Sequence, residues 1–178
     1  MGGSSAANRP GDEAFVAFVA GAQSSLHHLA WLLTGDVHQA EELVQDTLVR
    51  TYGAWPRVRD DDPYAYTRRV LVNAKTDSWR RRRREDLVEE PPEPSAVRAD
   101  EDAVDDRLAL VAALRALTGR ERAVLVLRYF ADLSEAATAA ELGISVGTVK
   151  STASRALAKL RAADRRPRDR AGTTRSDR

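Results

Sequence analysis

Apolar residues recur at helical spacing along this chain, in blocks separated by short polar stops. The first block starts after Asp12. Phe15, Phe18, Val19, Ala22, Leu26, Leu29, Ala30 and Leu33 form one stripe, which predicts a long amphipathic helix. Thr34-Gly35-Asp36 stops it, and Asp36 is placed to cap the next helix. The second block repeats the pattern with Val37, Ala40, Val44, Thr47, Leu48 and Thr51, and its opposite face carries Glu41, Glu42, Gln45, Asp46 and Arg50. Trp55-Pro56 is expected to break this helix, leaving residues 56–63 as a charged loop with Asp60-Asp61-Asp62. Pro63 suits the first turn of a third helix. That helix holds Tyr66, Val70, Leu71, Ala74 and Trp79 and runs into Arg80–Arg84. No segment sustains period-two alternation, so no sheet is expected.

From Glu85 the pattern stops. Residues 85–106 hold ten acids, one base and three prolines, too little apolar area to offset chain ordering, and they read as an extended linker. Periodicity returns with Leu108, Val111, Ala112, Leu114 and Leu117. Thr118 can cap a following helix, with Val124, Leu125, Leu127, Tyr129 and Phe130 expected in the core. The stretch Leu133–Leu160 is the most specific of the chain. An Ala-rich helix begins after Ser134 and ends at Leu142-Gly143, where glycine can adopt the left-handed cap. Ile144 plugs the turn, Ser145 caps a second helix, and Val149, Ala153, Ala156 and Leu157 of that helix should face the core. Two short helices joined by a tight glycine turn are a helix-turn-helix. The second helix exposes Thr148, Lys150, Ser151, Ser154, Arg155 and Lys159 and no acid, a surface suited to a DNA major groove and its phosphates. The alternative is an ordinary packed helical pair.

The fold expected is therefore all-α, with two small helical domains joined by an acidic flexible linker. The boundaries read as a disordered N-terminus over 1–11, a first domain over 12–84, the linker over 85–106, a helix-turn-helix domain over 107–163, and an Arg-rich disordered tail over 164–178.

Composition adds a segregation of charge. The 178 residues carry a net charge of only +1, yet residues 107–161 hold nine bases against four acids, so the acidic linker masks basic folded parts. The absence of cysteine excludes disulfides and thiolate metal sites. The small, polar N-terminus does not read as a signal peptide, and no apolar run is long enough to span a membrane, so a cytoplasmic protein is expected. No Gly-rich phosphate loop, His-Glu-x-x-His or cysteine nucleophile is present, and His27, His28 and His38 lack ligand-like spacing. Neither an enzyme nor a cofactor is expected.

Three stretches carry a resemblance. Thr34 to Trp55, with Ala40-Glu-Glu-Leu-Val-Gln-Asp-Thr-Leu-Val-Arg-Thr-Tyr52, is similar to the core-binding part of region two of the sigma-70 family. Leu117-Thr-Gly-Arg-Glu-Arg-Ala-Val-Leu-Val-Leu-Arg-Tyr-Phe130 is similar to the opening of region four. Gly143-Ile-Ser-Val-Gly-Thr-Val-Lys-Ser151 is similar to the start of its recognition helix. The order, split by an acidic linker, resembles a bacterial sigma factor of the extracytoplasmic-function type over residues 12–163, near the actinobacterial sigma-E-like subgroup.

The resemblance implies binding of core RNA polymerase at its clamp helices and flap, promoter DNA as the second partner, and an anti-sigma factor as a further partner not encoded here. It implies polymerase contact by Glu42, Gln45 and Asp46, whose bland alternative is a solvated helix face. It implies recognition and melting of the minus-ten element by Tyr64, Tyr66 and Asn73, with Arg80, Arg81 and Arg82 tracking phosphates. Tyr66 has packing as its alternative, and the three aspartates either cap the helix or repel a strand. The minus-thirty-five element falls to Val146, Thr148, Lys150, Ser151, Ser154, Arg155 and Lys159. One departure stands out: Ala137 and Thr138 occupy positions where the family usually has Glu and a large aliphatic, so a looser or repacked domain is expected. The rival reading is a helix-turn-helix regulator acting without polymerase, which has no need of the Thr34–Trp55 match.

Overall fold

In the computed structural model, which describes residues 10–85 and 103–164, seven α-helices follow one another with no strand among the described residues. Helix α1 (Pro10–Thr34) begins slightly ahead of Asp12, with Pro10 in the first turn, where its missing N–H has no acceptor to lose. Its stripe is buried through Leu26, Leu29, Ala30 and Leu33. Gly35 closes the helix at φ +72°, and its N–H donates to the Trp31 carbonyl at 2.7 Å. The Asp36 carboxylate then accepts the Gln39 N–H at 2.9 Å and starts α2 (Val37–Val58).

The expected break at Trp55-Pro56 does not occur: α2 continues through Pro56 to Val58. Proline removes one donor, but here only the last turn depends on it. Trp55 anchors that turn, its ring lying 5.1 Å from Phe15 and 5.2 Å from Phe18, and the ladder resumes where the Arg59 N–H meets the Trp55 carbonyl at 3.1 Å. The charged loop contracts to residues 59–62. Asp62 accepts the Ala65 N–H at 2.9 Å, so one of the three aspartates caps α3 (Pro63–Glu85).

The second unit opens with α4 (Ala103–Arg115). Thr118 and Glu121 cap each other's backbone reciprocally at the start of α5 (Gly119–Leu125). A π turn, Val126–Phe130, continues it. This turn corrects an expectation: Tyr129 and Phe130 are 55% and 43% exposed, not core residues. Wider i→i+5 bonding, seen in the Ala131 N–H on the Val126 carbonyl at 3.0 Å, rotates the following side chains off the buried face. The helix-turn-helix forms as expected. Ser134 caps α6 (Glu135–Leu142), Gly143 ends it at φ +62°, and the Ser145 hydroxyl accepts the Thr148 N–H at 3.1 Å to start α7 (Val146–Asp164).

The helices extend into the expected linker: Glu85 and Ala103–Asp106 are helical. The rest of that segment, 86–102, lies outside the described residues, as do 1–9 and 165–178 and the side chains of Arg80–Arg84.

The two units share one buried core, in which Leu33, Leu71 and Val72 sit with Leu114, Val124 and Leu127. Thr138, the departure noted above, is fully buried, and its hydroxyl has no hydrogen-bond partner. The unit thus closes over the smaller side chain with an orphaned polar atom inside. Thr138→Val, which keeps the shape and removes that atom, is expected to stabilise the chain by about 1 kcal/mol. Urea unfolding checks this, and a destabilised variant would mean that the hydroxyl is satisfied.

Candidate nucleic-acid interface

Helix α7 sorts its candidate residues by helical phase. Val149 and Ala156 are fully buried and Ala153 and Leu157 partly so, which turns Lys150, Ser151, Ser154 and Arg155 to the open side, all exposed. Val146 is exposed at the start of the helix. The Arg155 Nε donates to the Ser151 carbonyl at 3.2 Å, holding the guanidinium along the helix. Lys150 faces Glu135 at 3.6 Å, an exposed pair that phosphate can displace. Two candidates lie at the edge of this surface. Thr148 is half-buried, with its hydroxyl 2.8 Å from that of Ser145, and so belongs to the cap. Lys159 turns back to Glu121 at 2.9 Å. Burial alone would raise the Glu121 carboxyl. Lys159 and the Thr118 backbone and hydroxyl outweigh burial and hold it below the usual range.

Helix α3 splits its candidates between two faces. Asn73 is exposed and Tyr66 half-buried on one side, and Arg69 is exposed between them at helical spacing. Sequence reasoning passed over Arg69, although its spacing from Tyr66 and Asn73 was a usable signal. Tyr64 is not with them. It packs on the core, with the Arg68 guanidinium 5.8 Å over its ring. Arg80, Arg81 and Arg82 continue the helix, and their side chains lie outside the described residues.

On α2, Glu42, Gln45 and Asp46 are all exposed on one face, and they form no hydrogen bond or ion pair with other described residues. Glu42 and Asp46 also line a cleft of about 330 Å³ between α2 and α3, together with Arg50, Lys75 and Asp77. Val49, which sequence reasoning also passed over, continues the same stripe at 72% exposure. The face therefore pairs carboxylate acceptors with an exposed apolar side chain, the mixture of a protein interface. Among the described residues no cluster of His, Asp or Glu could hold a metal ion, and no helix is long and apolar enough to cross a membrane.

Residues 18–85 match Sigma-70 region 2, and residues 107–160 match Sigma-70, region 4. The RNA polymerase sigma-E factor of Streptomyces coelicolor is 42% identical over 149 residues, covering 83% of this chain and 84% of that one. The extracytoplasmic-function sigma factor SigL of Mycobacterium tuberculosis is 37% identical over 145 residues, covering 76% and 80%. Among solved structures, the sigma factor RpoE of Bartonella quintana, bound to the anti-sigma factor NepR, matches with a TM-score of 0.64 at 25% identity, over 86% of this chain and 98% of that one. CnrH, bound to the cytosolic domain of CnrY, gives 0.61 at 27%, over 85% and 87%. With both regions matched in order, and relatives this similar over most of their length, the chain belongs to the sigma-70 family of RNA polymerase sigma factors, in its extracytoplasmic-function branch.

Proposed function

We infer that this chain binds core RNA polymerase through the α2 face and brings it to promoters read by α3 and α7. One observation carries this: a single chain joins an acceptor-rich face on α2 to an acid-free, exposed face on α7, in family regions two and four respectively. Glu42, Gln45 and Asp46 accept charge-assisted hydrogen bonds from arginines of the clamp, with Val49 packing beside them. Lys150, Ser151, Ser154 and Arg155 enter the major groove at the minus-thirty-five element. Arg155 takes a guanine edge or phosphate, and Val146 a thymine methyl. Tyr66 and Asn73 hold a base turned out of the stack at the minus-ten element, with Arg69 and the Arg80–Arg82 run on phosphates.

The described boundaries support a region-two domain over 12–84 and a region-four domain over 107–163, with the acidic segment between them as connector. An anti-sigma factor, as NepR is for the relative RpoE, is a third partner. The chain works in the cytoplasm and performs no catalysis of its own, since bond formation belongs to the polymerase.

Run-off transcription on a genomic promoter library, using core polymerase from a high-GC bacterium with and without this chain, tests the inference. Transcripts that depend on the chain, sharing two upstream elements, are expected. No transcripts, together with tight operator binding by the chain alone, would establish the regulator instead.

A further inference from the structure

Helix α7 carries two lysines, and each meets an acid brought by another helix. Lys159 donates to the Glu121 carboxylate at 2.9 Å, and Thr118 donates to the same carboxylate from its N–H and its hydroxyl, each at 3.0 Å. The Glu121 side chain is 10% exposed, so this pair is shielded and fixed. Lys150 is held differently. Its Nζ lies 3.6 Å from the carboxylate of Glu135 in the first turn of α6, and the two side chains are 64% and 38% exposed. That separation is beyond hydrogen-bond length, so the tie is electrostatic and open to competition. The other acid of α6, Glu141, is committed elsewhere: it is buried on the Arg68 guanidinium of α3 at 3.1 Å. Arg155, the remaining cation among the candidates on α7, bonds back to its own helix at the Ser151 carbonyl.

An exposed lysine on a DNA-reading helix has two classes of acceptor, phosphate oxygens and base edges. Phosphates attract it strongly and carry no sequence information. Glu135 changes that balance. A lysine that moves to a phosphate leaves its carboxylate partner unpaired beside a polyanion. A guanine edge makes no such demand. The ammonium has three donors, so it can face Glu135 with one and the O6 and N7 acceptors of guanine with the others. The pair therefore survives on guanine and breaks on phosphate. An exposed pair of this kind resists breaking by up to about fivefold, enough to shift a preference without blocking DNA binding. Lys159, on its shielded acid, stays out of this competition.

We propose that Glu135 is a positioning residue for the minus-thirty-five contact: it holds Lys150 off the phosphates and on a guanine edge, so that duplex lacking the element is bound less well. The proposal rests on the assignment of α7 as the DNA reader above. Glu135 acts through Lys150 rather than on a base itself. An acid in the first turn of a helix also suits the helix dipole, and that purely structural role predicts a loss of stability with base preference unchanged.

The test binds holoenzyme, assembled from core polymerase and the full chain, to promoter duplexes recovered by the run-off experiment. The minus-thirty-five element is left intact, scrambled, or changed one base pair at a time. Glu135→Gln should tighten binding to the scrambled duplex about fivefold, and the slope of log affinity on log salt should steepen by about one as Lys150 gains a phosphate. Binding to the intact element should change by less than about twofold, so discrimination falls about fivefold. Lys150→Met should lose the preference for guanine at one base pair, and Glu135→Gln should lose it at the same one. In a Lys150→Met background, Glu135→Gln should change binding to either duplex by less than about twofold. A gain on scrambled duplex that persists without Lys150 would make Glu135 a general repulsive charge and overturn the proposal. Preferences lost at different base pairs, or a lowered unfolding midpoint with discrimination intact, would overturn it as well. Wild-type holoenzyme that does not distinguish intact from scrambled duplex sinks the assignment of α7 as reader, whereas discrimination indifferent to Glu135 sinks only the positioning role.

Discussion

Arg122→Met is expected to lower the stability of the chain by about 3 kcal/mol. Arg122 is 8% exposed, and its guanidinium satisfies carbonyls of Leu33, Leu114, Arg115 and Leu117, with the Trp79 ring 5.9 Å from its centre. The Leu33 and Arg115 carbonyls lie at the ends of α1 and α4 and that of Leu117 in the turn after α4, whereas the Leu114 carbonyl also accepts the Leu117 N–H at 3.1 Å. Methionine fills similar volume but donates nothing, so each carbonyl left dry costs about 1–3 kcal/mol. Losing a buried charge offsets part of that. Burial, with the positive Arg115 nearby, already pushes the Arg122 group down to about 10, a sign that its charge is held at a cost. The net figure is accordingly near the cost of one or two orphaned carbonyls rather than the three that depend on Arg122 alone. Against a typical total of about 5–15 kcal/mol the loss is large. Urea midpoints measure it, and Arg122→Lys, which keeps charge but not the fork, should fall between the two. A loss below about 1 kcal/mol would show that water or another donor reaches these carbonyls.

The second large effect concerns binding. Glu42→Arg combined with Asp46→Arg is expected to weaken core polymerase binding by about 100-fold, roughly 3 kcal/mol. Both side chains are exposed and make no hydrogen bond or ion pair with other described residues, so folding barely depends on them and urea stability should change by no more than about 0.5 kcal/mol. Reversal replaces two acceptors with donors facing a surface expected to present arginines, which removes attraction and adds repulsion. Fluorescence anisotropy with core polymerase at two salt concentrations reads it, and the wild-type advantage should shrink as salt rises. Equal binding by variant and wild type would reduce this face to ordinary solvated surface.

What could be read from the sequence was local. Asp36, Thr118, Ser134, Gly143 and Ser145 each act within four residues, and every one forms the cap or stop its identity suggested. The α7 surface followed from phase alone, because Val149 and Ala156 fix which way Lys150 and Arg155 point. Where several local forces compete, the reading failed. Pro56 argues for a break, but the aromatic contacts of Trp55 outweigh one lost donor. Tyr129 and Phe130 look like core until a π turn shifts their phase, and a π turn has no marker in the sequence. Long-range pairing was invisible. Nothing near Arg68 announces Glu141, 73 positions on, and nothing near Arg122 announces a carbonyl 89 positions back. Tyr64 was grouped with Tyr66 and Asn73, although two residues of helical phase separate it from them and turn it onto the core.

Gly119 lets α5 and α3 meet at closer range than any other residue type would. The ring of Trp79 lies where a side chain at this position would begin, and that ring is also in contact with Lys75 and Arg122, at 5.7 and 5.9 Å, so it cannot step aside without disturbing both cations. Any larger residue there acts as a wedge driven between the units. With no room even for a methyl group, position 119 sets how closely α5 can lie on α3.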